Sequence, residues 1–500
     1  MTIYRDYSRA NVGWFFGLSG WQLGTVALST LPFFIAVQRQ AWTSAVVFAI
    51  AWATICVITV VPVRGRSATG WCIATIGFAI SVLTGASRFR AHAARGQAVE
   101  LAAADLPGVL NAVQIHDGPP TGAEQLRVAI IQNHATKTWA VTAALTHPGI
   151  GMAEADVRRR LGTGLTDLLD LCSRTELIDE LLFIVRTVPD DGAERGQWIS
   201  RHRRTDGPDL SRRVNDDLHA ALSRASVRIE SFVTLVVPET RLAKEAKEAG
   251  GGLAGRARVL YLLMGEIEAQ LRGALGMVEV SWLSSPDLAT ACRTGFAPTD
   301  RAAVIEALAA HDADAGVNAE VPWAMAGPSG ADQQIRHYSH DAWNSISATI
   351  RLPVKGALMG ALAPILTPTE AGERRSFVAS FPILRQSVAD RQSASSEWAA
   401  DLGEALREKA KVKQRTKARD EAEKVRGLDR KLARGNSMTH PYAVCTVTAP
   451  KTCRIGEFGR RLDASIRRAG FAPLRLDLSQ DAGFATSTIP LGVSLTRGTA

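Results

Sequence analysis

The sequence predicts a membrane protein: two N-terminal transmembrane helices, then a cytoplasmic α+β body that carries a long charged helical segment. Three observations point there. Gly13–Val37 and Ala41–Val63 are uncharged runs of 25 and 23 residues, separated only by Gln38, Arg39 and Gln40. Beyond residue 90, short strand-like apolar runs alternate with helical stripes. Asp401 to Arg434 holds 12 Lys/Arg and 7 Asp/Glu, the densest charge in the chain.

About 20 apolar residues at 1.5 Å rise cross the hydrocarbon core. The two runs therefore read as a tight pair of spans, about residues 13–37 and 41–63. Trp14, Trp21 and Trp42 fall where an aromatic belt sits, and Pro32 is tolerated near the end of a lipid-buried helix. A cleaved signal peptide fits worse, because the second apolar run follows at once and no small-residue cleavage site is evident. Arg5 and Arg9 precede the pair; Arg64, Arg66, Arg88, Arg90 and Arg95 follow it; only Arg39 lies in the turn. The positive-inside rule then places both ends and the body in the cytoplasm, at the inner membrane. Ser67 to Ser87 is uncharged too, but its firmly apolar part, Trp71 to Leu83, is only 13 residues. It reads as an interfacial or re-entrant helix, since a third crossing would put the body outside. Residues 1–96 are thus the anchor.

Residues 97–250 read as a first α/β subdomain. Arg127–Gln132, Thr138–Leu145, Leu181–Thr187 and Arg228–Val237 have strand character, and Asp209–Ser223 is helical. Glu154–Ser173 keeps Val157, Leu161, Leu165, Leu168, Leu169 and Cys172 on one helical stripe. Residues 251–500 read as a second, α+β subdomain. It has a helix at Arg256–Gly273, strands at Ser376–Leu384 and Tyr442–Ala449, and a helix at Glu457–Ala469. Charged helices occupy 391–434, with Gly435 as C-cap. Glu404, Glu408, Lys411, Arg415 and Arg419 fall at helical spacings that allow surface charge pairs. The segment reads first as a solvated helix, as few aromatics interleave; Lys409, Lys411, Lys413, Arg415, Lys417 and Arg419 are its candidate contact surface for a partner or passing DNA.

The net charge of +9 fits a positive-inside bias plus solvated faces, with weak nucleic-acid contact as the other reading. The six cysteines, Cys56, Cys72, Cys172, Cys292, Cys445 and Cys453, form no CxxC and no Cys/His spacing typical of zinc. That fits a reducing compartment and no metal cofactor. Gly250, Gly252 and Gly255 spell GxGxxG, but helical sequence precedes them where a dinucleotide fold needs a strand. They read as an interhelical hinge. GxxxxGK[ST], GxSxG and HExxH do not occur. The stretch "RHYSHDAW", Arg336–Trp343, runs into the alternating "NSISATIRLP". As one regular half-buried strand it sets His337, Asp341 and Trp343 on one face and His340 on the other, so the histidines do not share a metal; a bulge or turn within the stretch is the alternative that would reopen a site.

Several stretches resemble a conjugative type IV secretion protein of actinobacteria. "PVRGRSATGW" (62–71) with "SRFRAHAARG" (87–96) looks like the junction after the two-helix PrgI-like or VirB-three-like subunit, and "ADLPGVL" (104–110) opens the body. "HYSHDAWNSISATIRLP" (337–353) and "RAGFAPLRLDLSQDAGFATSTIPLG" (468–492) resemble parts of the N-terminal, non-catalytic domain of the VirB-four-like traffic ATPase. In that family the nucleotide-binding motor follows, whereas these 500 residues hold no P-loop. The resemblance implies a non-enzymatic inner-membrane scaffold. It would dock a separately encoded hexameric ATPase and contact other secretion membrane subunits, the bilayer and copies of itself. The alternatives are a type VII secretion membrane-core component, a membrane-anchored enzyme using His337, His340 or Asp341, and a tethered nucleic-acid binder working through 391–434.

Overall fold

The computed structural model describes residues 3–4, 20–60, 62–63, 66–122, 125–151, 153–189, 192–204, 206–225, 227–351, 357–358, 360–370, 372–391, 393, 427, 430–433 and 435–495. The chain forms two compact units: residues 5–85 with 384–438, and a body of 1–4, 86–383 and 439–500.

In the first unit, α1 (Gly20–Gln38) and α2 (Trp42–Val60) form a helical hairpin. Gln40, at φ +53°, makes the turn. The indole Nε1 of Trp52 donates to the Val26 carbonyl across the pair at 3.3 Å. Trp42–Thr59 is long and apolar enough to cross a membrane, with mean hydropathy 1.9. Residues 13–19 of the first expected span lie outside the described residues. α3 (Ala68–Leu83) follows, with Ile76, Ile80 and Leu83 exposed. The same unit holds an apolar cluster of Leu384, Ala389, Leu432 and Met438. Most of the expected charged helices, residues 394–426, lie outside the described residues.

The body is built on one 13-stranded sheet whose pairings are all antiparallel. Its strands are β1 (Arg88–Arg90), β2 (Val113–Asp117), β3 (Ala129–Asn133), β4 (Thr138–Thr146), β5 (Glu180–Pro189), β6 (Val227–Pro238) and β7 (Glu279–Trp282). They continue with β8 (Gly330–Gln333), β9 (Tyr338–His340), β10 (Trp343–Arg351), β11 (Arg374–Pro382), β12 (Tyr442–Pro450) and β13 (Ala472–Arg475). The order is β1-β8-β9-β10-β12-β11-β5-β6-β4-β3-β2, with β7 also on β4 and β13 also on β10.

Within this order the same unit occurs twice. In the first, β4, α4 (Ala155–Arg174), β5, β6, α8 (Gly252–Gly273) and β7 make a βαββαβ unit with spatial order β7-β4-β6-β5. In the second, β10, a single helical turn at Ala363–Leu366, β11, β12, α11 (Ile455–Arg468) and β13 give the order β13-β10-β12-β11. Both are ferredoxin-like. They join through their second strands, with Thr187 opposite Arg375 and Glu180 opposite Pro382. Pairing these strands covers two edges that would otherwise be open.

Residues 97–250 and 251–500, read from sequence as separate subdomains, therefore share one sheet, and residue 250 falls in a helix–helix turn. Each repeat carries a helical insertion between its second and third strands. In the first this is α5 (Ala193–His202) and α6 (Asp209–Ala225); in the second, residues 383–441 fall at the same place in the chain, and most of them lie outside the described residues.

Both faces of the sheet are covered, which explains why strands such as "LLFIVRTV" (181–188) are continuous apolar runs. On one face, α4 and α8 pack over Val141, Leu181, Val233 and Leu235, while Phe458, Leu462 and Ile466 of α11 pack over Ile346, Cys445 and Val447. Each fully buried leucine or isoleucine here contributes about 1.5–3 kcal/mol. α7 (Glu239–Glu248) meets α8 at the turn Gly250–Gly252, where all three φ values are positive. That turn is the GxGxxG stretch, which lies between two helices as the sequence reading placed it. The other face is covered by α9 (Ser285–Phe296), α12 (Gln480–Thr488) and the segment through Val493. α9 starts with a reciprocal cap between Ser284 and Asp287, and α10 (Asp300–Ala313) follows it.

Candidate functional site

The chemically richest sequence stretch, Arg336–Trp343, is a hairpin and not one strand. β9 ends at His340, Asp341 turns the chain at φ +42°, and Trp343 pairs back on His340. The strand reading failed at this turn, so the face assignment of His337 and Asp341 goes with it. Asp341 is held on both carboxylate oxygens: Ser329 N–H donates to Oδ1 at 2.7 Å, and Arg293 Nη1 donates to Oδ2 at 3.2 Å. His337 sits half-buried before β9, and burial lowers its pKa, with Lys451 adding to the effect and Asp332 opposing it.

His340 is fully buried between Phe296, Tyr338 and Phe484, with the Phe484 ring 4.4 Å away between centroids. Its Nδ1 lies 2.8 Å from the Phe296 carbonyl, which can only accept, so Nδ1 carries the proton. Burial and the nearby Arg374 cation push its pKa down to about 3, so the ring is neutral. Nε2 must then accept from Ser345 Oγ–H at 2.8 Å, and Ser345 in turn accepts from Thr448 at 2.7 Å.

Two arginines complete this arrangement. Arg374 of β11 donates to the carbonyls of Thr294 (2.7 Å) and Gly295. Arg186 of β5 donates to those of Ala291 (2.9 Å) and Thr488 (3.1 Å), and pairs with Glu230 of β6 at 2.7 Å. Burial, then repulsion from Arg186, lowers the Arg374 pKa to about 9. Burial would raise Glu230, but the Arg186 and Arg374 cations outweigh it and hold the carboxyl low. The carbonyls of Thr294, Gly295 and Phe296 belong to the last turn of α9, which carries partial negative charge, and that of Ala291 lies in the turn before it. Three strands thus each send one side chain to cap a single buried helix end.

The site is closed, and most of its polar atoms are engaged; Arg374 Nε is buried without a hydrogen-bond partner. Its chemistry is that of a structural clamp joining the two repeats: Arg186 comes from the first, Arg374 and Ser345 from the second. Arg186, Arg374 and Glu230 were not singled out from sequence. The available signal was an arginine inside the apolar run "LLFIVRTV" (181–188) and a second pair at "ERRSF" (373–377).

Among the described residues no three His, Cys, Asp or Glu side chains are grouped to hold a metal ion. A cleft of about 330 Å³ between α9 and α10 is lined by Trp282, Pro286, Val304, Leu308 and the acids Asp287 and Glu320. Asp287 there is already committed to the helix cap.

The other sequence-marked residues are scattered. Trp42 opens α2 and is exposed; Trp21 lies in the first turn of α1; Trp14 and Arg64 lie outside the described residues. Arg66 belongs to a two-residue strand. Arg88 and Arg90, read as juxtamembrane charges, are exposed on β1, the edge strand of the body sheet. Lys409, Lys411, Lys413, Arg415, Lys417 and Arg419 lie outside the described residues. No protein-family model matches this chain, and no curated protein matches it.

Proposed function

We propose that this chain is a non-enzymatic inner-membrane scaffold of a conjugative type IV secretion system. In this reading α1 and α2 both span the bilayer, α3 lies at its cytoplasmic face, and the body docks a separately encoded hexameric traffic ATPase. The observation that carries it is the α1–α2 hairpin. Leu28, Phe34, Val46, Val47, Ile50 and Val57 are all exposed on it, a distribution that suits hydrocarbon and not water. The sequence resemblance supplies the choice of machine. The closed state of the His340 clamp supports a structural role over an enzymatic one, because both ring nitrogens and both Asp341 oxygens are already occupied.

The test is affinity purification of the tagged full chain from membranes of its native host. Recovery of a P-loop ATPase of the conjugative class is the expected result. Recovery of a type VII secretion ATPase instead, or of the chain in the soluble fraction, would overturn the reading.

A further inference from the structure

α6 is mounted with its amphipathic pattern turned outward. The helix is exposed over nearly all of its described surface, and the contacts it makes to its own chain come from its polar side: His219, its one half-buried residue, lies over Gly196 of α5, where an added Cβ would come 3.7 Å from the ring. Asp216 pairs with Arg203 at 3.1 Å. Its apolar side faces solvent. Leu210, Val214, Leu218 and Leu222 are 73%, 56%, 53% and 38% exposed. They recur every fourth residue, so they form one continuous ridge along the helix, spanning about 120° of its circumference. Four large apolar side chains in one exposed stripe mark a contact surface.

The charges beside the ridge indicate what covers it. Arg213 and Asp217 lie on the same border of the stripe, and among the described residues neither has an ion pair, whereas Asp209 and Arg212 are paired to each other. A two-fold axis through the middle of the ridge sets Val214 against Leu218 of a second copy, and Leu210 against Leu222. The same axis sets Arg213 against Asp217 of the second copy, offset along the helix by two residues, about 3 Å. Both the apolar series and the flanking charges are therefore self-complementary, as a two-fold contact requires. We propose that α6 is the contact helix of a two-fold dimer of this chain. The inference rests on the body alone and holds whether or not the chain serves secretion.

The experiment uses the full chain in detergent with Cys56, Cys72 and Cys453 replaced by serine. Val214→Cys with Leu218→Cys should give a crosslinked dimer on oxidation. Leu218→Asp, at an exposed position, should leave the circular dichroism spectrum unchanged and convert the dimer to monomer by light scattering. Arg213→Asp should weaken the dimer about tenfold, the scale of two lost surface ion pairs turned repulsive. Arg213→Asp combined with Asp217→Arg should restore it. A monomeric wild type at micromolar concentration would overturn the proposal, as would a dimer indifferent to Leu218→Asp. So would a wild-type monomer that binds phosphatidylcholine–phosphatidylglycerol vesicles through Leu218, since the occupant would then be lipid.

Discussion

The imidazole Nδ1 of His340 sits 2.8 Å from the carbonyl oxygen of Phe296, the last residue of α9. One hydrogen bond thus ties the β9–β10 hairpin to the helix that covers the sheet. The buried ring titrates near 3 and the unfolded ring near 6.5. Between those values the unfolded chain binds a proton that the native site does not, so native stability falls as pH drops from about 6.5 toward 3. His340→Gln can make both hydrogen bonds without titrating. Thermal unfolding followed against pH should show a shallower acid limb for this variant. Identical limbs would mean that the native ring is not held neutral.

Arg374 supplies the charge in the same clamp. Replacing it with methionine fills the space but leaves the Thr294 and Gly295 carbonyls without their donor and Glu230 with less positive charge nearby. A cost of at least about 3 kcal/mol is expected. Lysine keeps the charge but cannot offer two donors in a fixed fork, so Arg374→Lys should fall between wild type and methionine. Denaturant midpoints in that order support the clamp; equal midpoints for all three would remove it.

Gly255 illustrates how a sequence pattern can mimic a cofactor site. A Cβ there would lie 2.4 Å from the backbone oxygen of Ala246, so the glycine lets α7 and α8 approach. Gly255→Ala should destabilise by about 1–3 kcal/mol through overpacking. Adding NADH to the wild type should leave its melting temperature unmoved. A ligand-dependent rise, lost in the alanine variant, would instead make this turn a dinucleotide site.

Much of the fold was legible where one physical signal dominated. The stripe through Leu161, Leu168 and Cys172 fixed α4 within one residue at each end, and the apolar run at 181–188 fixed β5. The clamp was not legible, for three separate reasons. Ser345 and Ser347 alternate with Ile346 and Ala348 and so look like the wet side of a half-buried strand. In fact they are fully buried, bonded to Thr448 and Thr446 beneath α12. Alternation separates polar from apolar faces, but it does not separate water from an internal hydrogen-bonded layer. The turn at Asp341–Ala342 contains no glycine or proline, and Asp341 was its one local turn signal. α9 is rich in alanine and threonine, which leaves a faint stripe; only its start, Ser284 with Asp287 three residues on, carried a capping signature. The doubling of the βαββαβ unit lies in strand order, which no local pattern encodes.

The membrane reading makes its sharpest claim at Ile50, near the middle of the Trp42–Thr59 run and exposed on α2. In hydrocarbon, an arginine at a helix centre costs about 2.5–3.5 kcal/mol. In water, the same exposed position would accept it at almost no cost. Ile229 on β6 is the control: it is equally exposed but belongs to the body. Membranes carrying each variant are washed with alkaline carbonate, and the protein released is measured. Ile50→Arg should be released more readily than wild type and should be cleaved faster by added protease. Ile229→Arg should match wild type in both. If the two variants behave alike, α2 does not lie in lipid; its exposed apolar residues then need another partner, and the anchor has to be sought elsewhere in the chain.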